Sequence, residues 1–169
     1  MGPTVSISAG TTATVQAQWP VGSTLAGGYT VKAELVTDLG QVFASASAGF
    51  TISAPAPTAA NSARATADRY AYNLAQAMQL TARVANLTAN VLQENLTIEL
   101  VVLSPAGQTV VTRTQPVAQL APGGQRTQVF LLPAGSLPQA AYGVQVRLRN
   151  AQSVLAAGTT SFTVQGSAQ

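Results

Sequence analysis

Two heptapeptides, Tyr29-Thr30-Val31-Lys32-Ala33-Glu34-Leu35 and Tyr142-Gly143-Val144-Gln145-Val146-Arg147-Leu148, decide the fold. In the first, apolar Tyr29, Val31, Ala33 and Leu35 alternate with polar Thr30, Lys32 and Glu34. In the second, Val144, Val146 and Leu148 turn one way and Gln145 and Arg147 the other. Successive side chains of a strand point to opposite faces, so this period of two predicts strands with one dry and one wet face. Gly and Pro punctuate the chain at the spacing of roughly 8 to 12 residues expected of an antiparallel sandwich.

The heptapeptides belong to a longer internal copy. At the offset of 113 residues that lays Tyr29 on Tyr142, the residues Ile7, Gly10, Thr14, Trp19 and Pro20 fall on Leu120, Gly123, Thr127, Leu132 and Pro133. After a one-residue slip in a turn, Val42, Phe43, Phe50 and Ile52 fall on Val154, Leu155, Phe162 and Val164. Each copy runs from an apolar residue through a Gly turn, an alternating strand and a Pro to a second strand, a turn and a last strand. That strand ends in Phe50-Thr51-Ile52 or Phe162-Thr163-Val164.

The expected organisation follows from the copy. Residues 1–53 form the C-terminal half of an immunoglobulin-like module, as though the chain began halfway through a repeat. Residues 54–64 form an Ala/Pro linker, since Pro55 and Pro57 cannot join a ladder. Residues 65–166 form one complete antiparallel β-sandwich, and 167–169 a tail.

The segment 63–93 is the hardest to read, because its Ala, Gln, Arg and Leu are good helix formers. Tyr70, Leu74, Met78, Val84 and Leu92 fit only a rough helical stripe, whereas Met78, Leu80, Ala82, Val84 and Asn86 alternate cleanly. Leu96, Ile98, Leu100 and Val102 continue the alternation, and Ser104-Pro105-Ala106-Gly107 reads as a hairpin turn into Thr109-Val110-Val111. Strands are the expectation here, and a sandwich needs them to be complete.

These features, with Thr66-Ala67-Asp68-Arg69-Tyr70, Leu120-Ala121-Pro122-Gly123 and Ser161-Phe162-Thr163-Val164, resemble the bacterial Ig-like tandem repeats related to CARDB and fibronectin-type-III-like modules. The resemblance covers about 64–166 in full and 1–53 as a half. It implies a bacterial, extracellular or cell-surface protein whose modules serve as stalk, adhesin body, spacer or filament unit. The alternative it leaves is an accessory module of a secreted enzyme or adhesin that binds a glycan or a protein through its loop tips. The acidic calcium sites of many bacterial adhesins have no counterpart in this sequence.

Composition excludes most chemistry. The 169 residues include no Cys and no His, and only 8% are charged, against 47% apolar and a mean hydropathy of +0.24. Disulfides, thiolate zinc sites and His-dependent triads are therefore out of reach. Of the five acids Glu34, Asp38, Asp68, Glu94 and Glu99, no pair is spaced for a shared cleft, and no Asp-x-Asp cluster offers a calcium loop. Gly27-Gly28 and Gly123-Gly124 precede strands, which is the wrong context for a phosphate loop. The expectation is a protein with no catalytic residues, no cofactor and no metal.

The net charge of +3 comes from Lys32 and seven arginines spread along the chain, so no phosphate-binding patch forms and nucleic acid is not an expected partner. No apolar run approaches the roughly 18 residues of a membrane span, and Met1-Gly2-Pro3-Thr4 has no signal-peptide character. Asn86-Leu87-Thr88 and Asn95-Leu96-Thr97 match the glycosylation sequon, though such tripeptides are common in strands and loops.

A half-sandwich exposes an apolar face and an unpaired edge. Self-association, or contact with neighbouring repeats, is the expected remedy. The expected contact residues are Trp19, Tyr29, Phe43 and Phe50. The outer face of the copied strand is not kept, since Lys32 stands where the later copy has Gln145 and Glu34 where it has Arg147.

Overall fold

The computed structural model describes residues 4–22, 24–54 and 60–166, and all regular structure within them is β. The expected tail at 167–169 and the heart of the linker, 55–59, lie outside the described residues. Ten strands occur in chain order: β1 (Gly27–Val36), β2 (Val42–Ile52), β3 (Asn61–Ala67), β4 (Ala71–Asn73), β5 (Met78–Asn86), β6 (Gln93–Leu103), β7 (Thr109–Leu120), β8 (Gln125–Leu132), β9 (Ala140–Arg149) and β10 (Val154–Gln165). They form a five-stranded sheet in the order β4-β10-β9-β6-β7, a three-stranded sheet β3-β5-β8, and a separate two-stranded sheet β1-β2.

The two larger sheets make an immunoglobulin-like sandwich, with Leu80, Ala82 and Val84 of β5 facing Ile98, Leu100 and Val102 of β6 and Val144, Val146 and Leu148 of β9 in one core. Alternation wins over helix propensity in 63–93, which becomes β3, β4 and β5. A helix would have spread the Met78–Val84 stripe around its circumference, whereas a strand delivers all of it to the core. Pro116 sits in β7 at the edge of the large sheet, the place in a sheet where proline is tolerated.

Two expectations need correction. Strand β3 opens at Asn61, inside the stretch expected as linker, because Asn61 to Arg64 pair with Asn86 to Arg83 of β5. The alternating strand expected ahead of Trp19 is missing: the described residues 4–22 contain no strand. Its copy, β8, exists by pairing with β5, and the described residues of 1–53 contain nothing equivalent to β5. Alternation marks a face, and a strand also needs a neighbour.

Candidate functional site

The β1–β2 hairpin is a replica of β9–β10 down to its hydrogen bonds. Tyr29 pairs with Phe50 as Tyr142 pairs with Phe162, and both ladders shift register at matching positions, beside Leu35/Val36 and beside Val154/Ala156. The Tyr29 hydroxyl donates to Leu25 O at 2.8 Å, and the Tyr142 hydroxyl donates to Pro138 O at 2.9 Å. The rings stack alike, with Tyr29 and Phe50 centroids 5.8 Å apart at 24° and those of Tyr142 and Phe162 5.5 Å apart at 25°.

Turns repeat as well. Thr11 N donates to Ser8 O at 3.1 Å as Gly124 N donates to Ala121 O at 2.8 Å. Gly10 and Gly123 hold φ of 77° and 68°, a left-handed conformation that glycine adopts without penalty. The one-residue slip lies in the turn closed by Thr37 N to Gln41 O, whose copy is closed by Asn150 N to Ser153 O.

What differs is the cover. In the sandwich, Leu132, Val144 and Leu148 are 1%, 2% and 0% exposed; their copies Trp19, Val31 and Leu35 are 54%, 54% and 46% exposed. Strand β6 lies on the far edge of β9, from Thr97 opposite Arg149 to Leu103 opposite Gly143. Strand β4 lies beside β10, and β3 crosses over it. Among the described residues, β1 and β2 have only each other.

Of the expected contact residues, three converge. Trp19 meets Tyr29 edge-on with centroids 6.1 Å apart and Phe50 edge-on at 5.8 Å. In the sandwich the edge-on place against Phe162, 5.4 Å away, belongs to the buried Tyr72. Phe43 is apart from this trio. It lies in the register shift at the turn end of β2 and is 78% exposed, whereas its copy Leu155 packs against the core. The open face is thus an aromatic cluster at one end and Val31, Leu35 and Phe43 toward the other.

Several polar residues are committed to structure. Arg147 and Arg149 each approach Glu99 at 3.2 Å across β6 and β9. The first sequon residue, Asn86, is fully buried: its Nδ2 donates to Val91 O at 2.8 Å and Leu120 O at 2.9 Å, and its Oδ1 accepts from Thr88 N at 3.0 Å and Thr88 Oγ1 at 2.7 Å. Nothing in the tripeptide distinguished this closed ring from an exposed acceptor. Four residues after Asn86, Asn90 touches the hairpin. Its backbone O accepts from Ala26 N at 2.7 Å, and its Nδ2 donates to Ser53 O at 3.3 Å.

Asp68 accepts the Tyr72 hydroxyl and, at 3.1 Å, Gln79 N. Burial first, and then this bond to Asp68, push the Tyr72 hydroxyl up to about 12 from its ordinary 10.0. Tyr70 is 79% exposed and Tyr72 is core, so they form no aromatic pair for a ligand. Among the described residues no three acidic side chains gather as a metal site, and no helix is long and apolar enough to cross a membrane.

No family model matches the chain, and no curated protein matches it. Among solved structures the chain is similar to the C-terminal domain of Wzt, with a TM-score of 0.51 and 10% identity over 66% of this chain and 77% of that one. It is also similar to a CARDB domain from Pyrococcus furiosus in a solution structure, with a TM-score of 0.49 and 10% identity over 62% of this chain and 94% of that one. A crystal structure of the same domain in complex with di-metal ions gives a TM-score of 0.49 and 11% identity over 62% and 87%. At such identities the likeness concerns the fold, and the all-β Ig-type fold expected from the sequence is the one found.

Proposed function

We propose that this chain is a non-catalytic structural module of an extracellular or cell-surface repeat protein, serving as stalk, adhesin body or filament unit. In this reading residues 1–53 are half of a module, and the chain works by having that half completed from outside it. One observation carries the reading: a hairpin identical in register and stacking to β9–β10 lies open where β9–β10 is covered. An apolar face of this kind rarely stays bare on a monomer, and such patches mark association surfaces. The absence of Cys and His removes the commonest catalytic groups.

Light scattering on the full chain tests it. Mass should rise with concentration, and Trp19→Ser with Phe50→Ser should abolish the rise while leaving the far-ultraviolet circular dichroism of the sandwich intact. A wild-type chain that stays monomeric at millimolar concentration overturns self-association.

A further inference from the structure

We infer that the β1 edge is keyed for a β6-type strand that differs from the chain's own β6, so that the open hairpin accepts a half-module related to residues 60–113 but carrying a basic residue at the Glu99 position. The inference rests on the structural reading above and adds the identity of the partner. It starts from the register that the sandwich displays. Laying β1 on β9 places a β6-type strand against Tyr29–Val36 with its Val102, Leu100 and Ile98 positions over Val31, Ala33 and Leu35, the three residues left exposed along the inner face. Shape and hydrophobicity thus fit a strand of this kind.

Charge decides which strand. In the sandwich Glu99 stands directly opposite Arg147 and beside Arg149, and pairs with both at 3.2 Å. On β1 those two positions are Glu34 and Val36. The chain's own β6 would therefore lose both arginines and set Glu99 against Glu34, and like charges directly opposite on neighbouring strands destabilise the pair. Glu34 is held in place by Lys32 Nζ at 2.6 Å on its own strand. A basic residue at the Glu99 position would meet Glu34 as Arg147 meets Glu99, with the signs exchanged.

A second, steric feature points the same way. Strand β10 passes β3 so closely at Gly158 that an added Cβ would lie 2.2 Å from Ala63 O and 2.9 Å from Arg64 Cα. The corresponding residue of β2 is Ala46, paired with Ala33 as Gly158 is paired with Val146. The hairpin carries the methyl group that the chain's own β3 does not tolerate. Residues 60–113 therefore match 114–166 and mismatch 1–53 at two separate points. Discrimination between similar partners is built from such repulsive elements as much as from attraction.

The test uses the full chain and three fluorescein-labelled peptides with the sequence of Gln93–Leu103: unaltered, Glu99→Gln and Glu99→Arg. Anisotropy reads affinity. Iodide quenching of Trp19, the only tryptophan, reads whether the hairpin face is the site. The Glu99→Arg peptide should bind about fivefold tighter than the unaltered one, with Glu99→Gln between them, and should protect Trp19. The Glu34→Arg chain should reverse the order. Equal affinity for all three peptides, or tightest binding of the unaltered one, overturns the keying. A chain that associates in light scattering but binds no peptide also overturns it and leaves the structural role standing. The predicted peptide order in a chain that remains monomeric upholds the keying and removes self-association.

Discussion

Tyr72 shows how a single side chain ties the pH dependence of stability to packing. Burial of its ring edge-on to Phe162, and then the bond its hydroxyl donates to Asp68, raise its pKa from 10.0 to about 12. A pKa raised in the folded state means that the unfolded chain gives up its proton first. Stability from this group is complete below pH 10 and is lost as pH climbs from 10 toward 12. The urea midpoint of the wild type should accordingly fall between pH 9 and pH 11 by more than that of Tyr72→Phe. Parallel falls would show that Tyr72 plays no part. Little of this is legible in the sequence, where nothing separates Tyr72 from its neighbour Tyr70: only the pairing of β4 with β10 buries one and leaves the other exposed. Asn86 is a similar case, since the four hydrogen bonds that close its loop involve partners up to 34 residues away.

At the scale of elements, alternation was the readable signal. The stripes of β5, β6 and β9 stand in the core as their sequences require, because in those strands the two faces differ sharply in polarity. Pairing was less readable. The segment ahead of Trp19 carries the same alternation as β8 and forms no strand, for lack of a partner. The crossing of β3 over β10 left one trace in the sequence, a glycine at 158 where the copy has Ala46. Gly158→Ala should destabilise the sandwich by about 2 kcal/mol through overpacking against rigid backbone. Ala46→Gly should leave the sandwich unfolding transition unchanged. Urea titrations followed by far-ultraviolet circular dichroism measure both, and a Gly158→Ala chain as stable as wild type would mean that β3 yields freely.

As a whole, the molecule exposes 11240 Å², against about 7800 Å² for a compact folded monomer of its mass. Much of the large apolar exposure falls on 5–43, including Ile7, Val15, Trp19, Val31 and Phe43. A two-stranded hairpin is marginal by itself, whereas the sandwich has a continuous core. Unfolding should therefore occur in two steps: Trp19 emission should reach its unfolded value at a lower urea concentration than the ellipticity of the sandwich strands. Coincident transitions would show that the two parts fold as one unit.

Asn90 gives this division a mechanical meaning. One residue holds both ends of the hairpin, Ala26 just before β1 and Ser53 just after β2, through two hydrogen bonds. A pull that draws the hairpin away from the sandwich loads this two-bond clasp directly. The β5 and β9 ladders, by contrast, hold the sandwich through many bonds at once. Asn90 should thus act as a fuse, opening under tension before the core behind it.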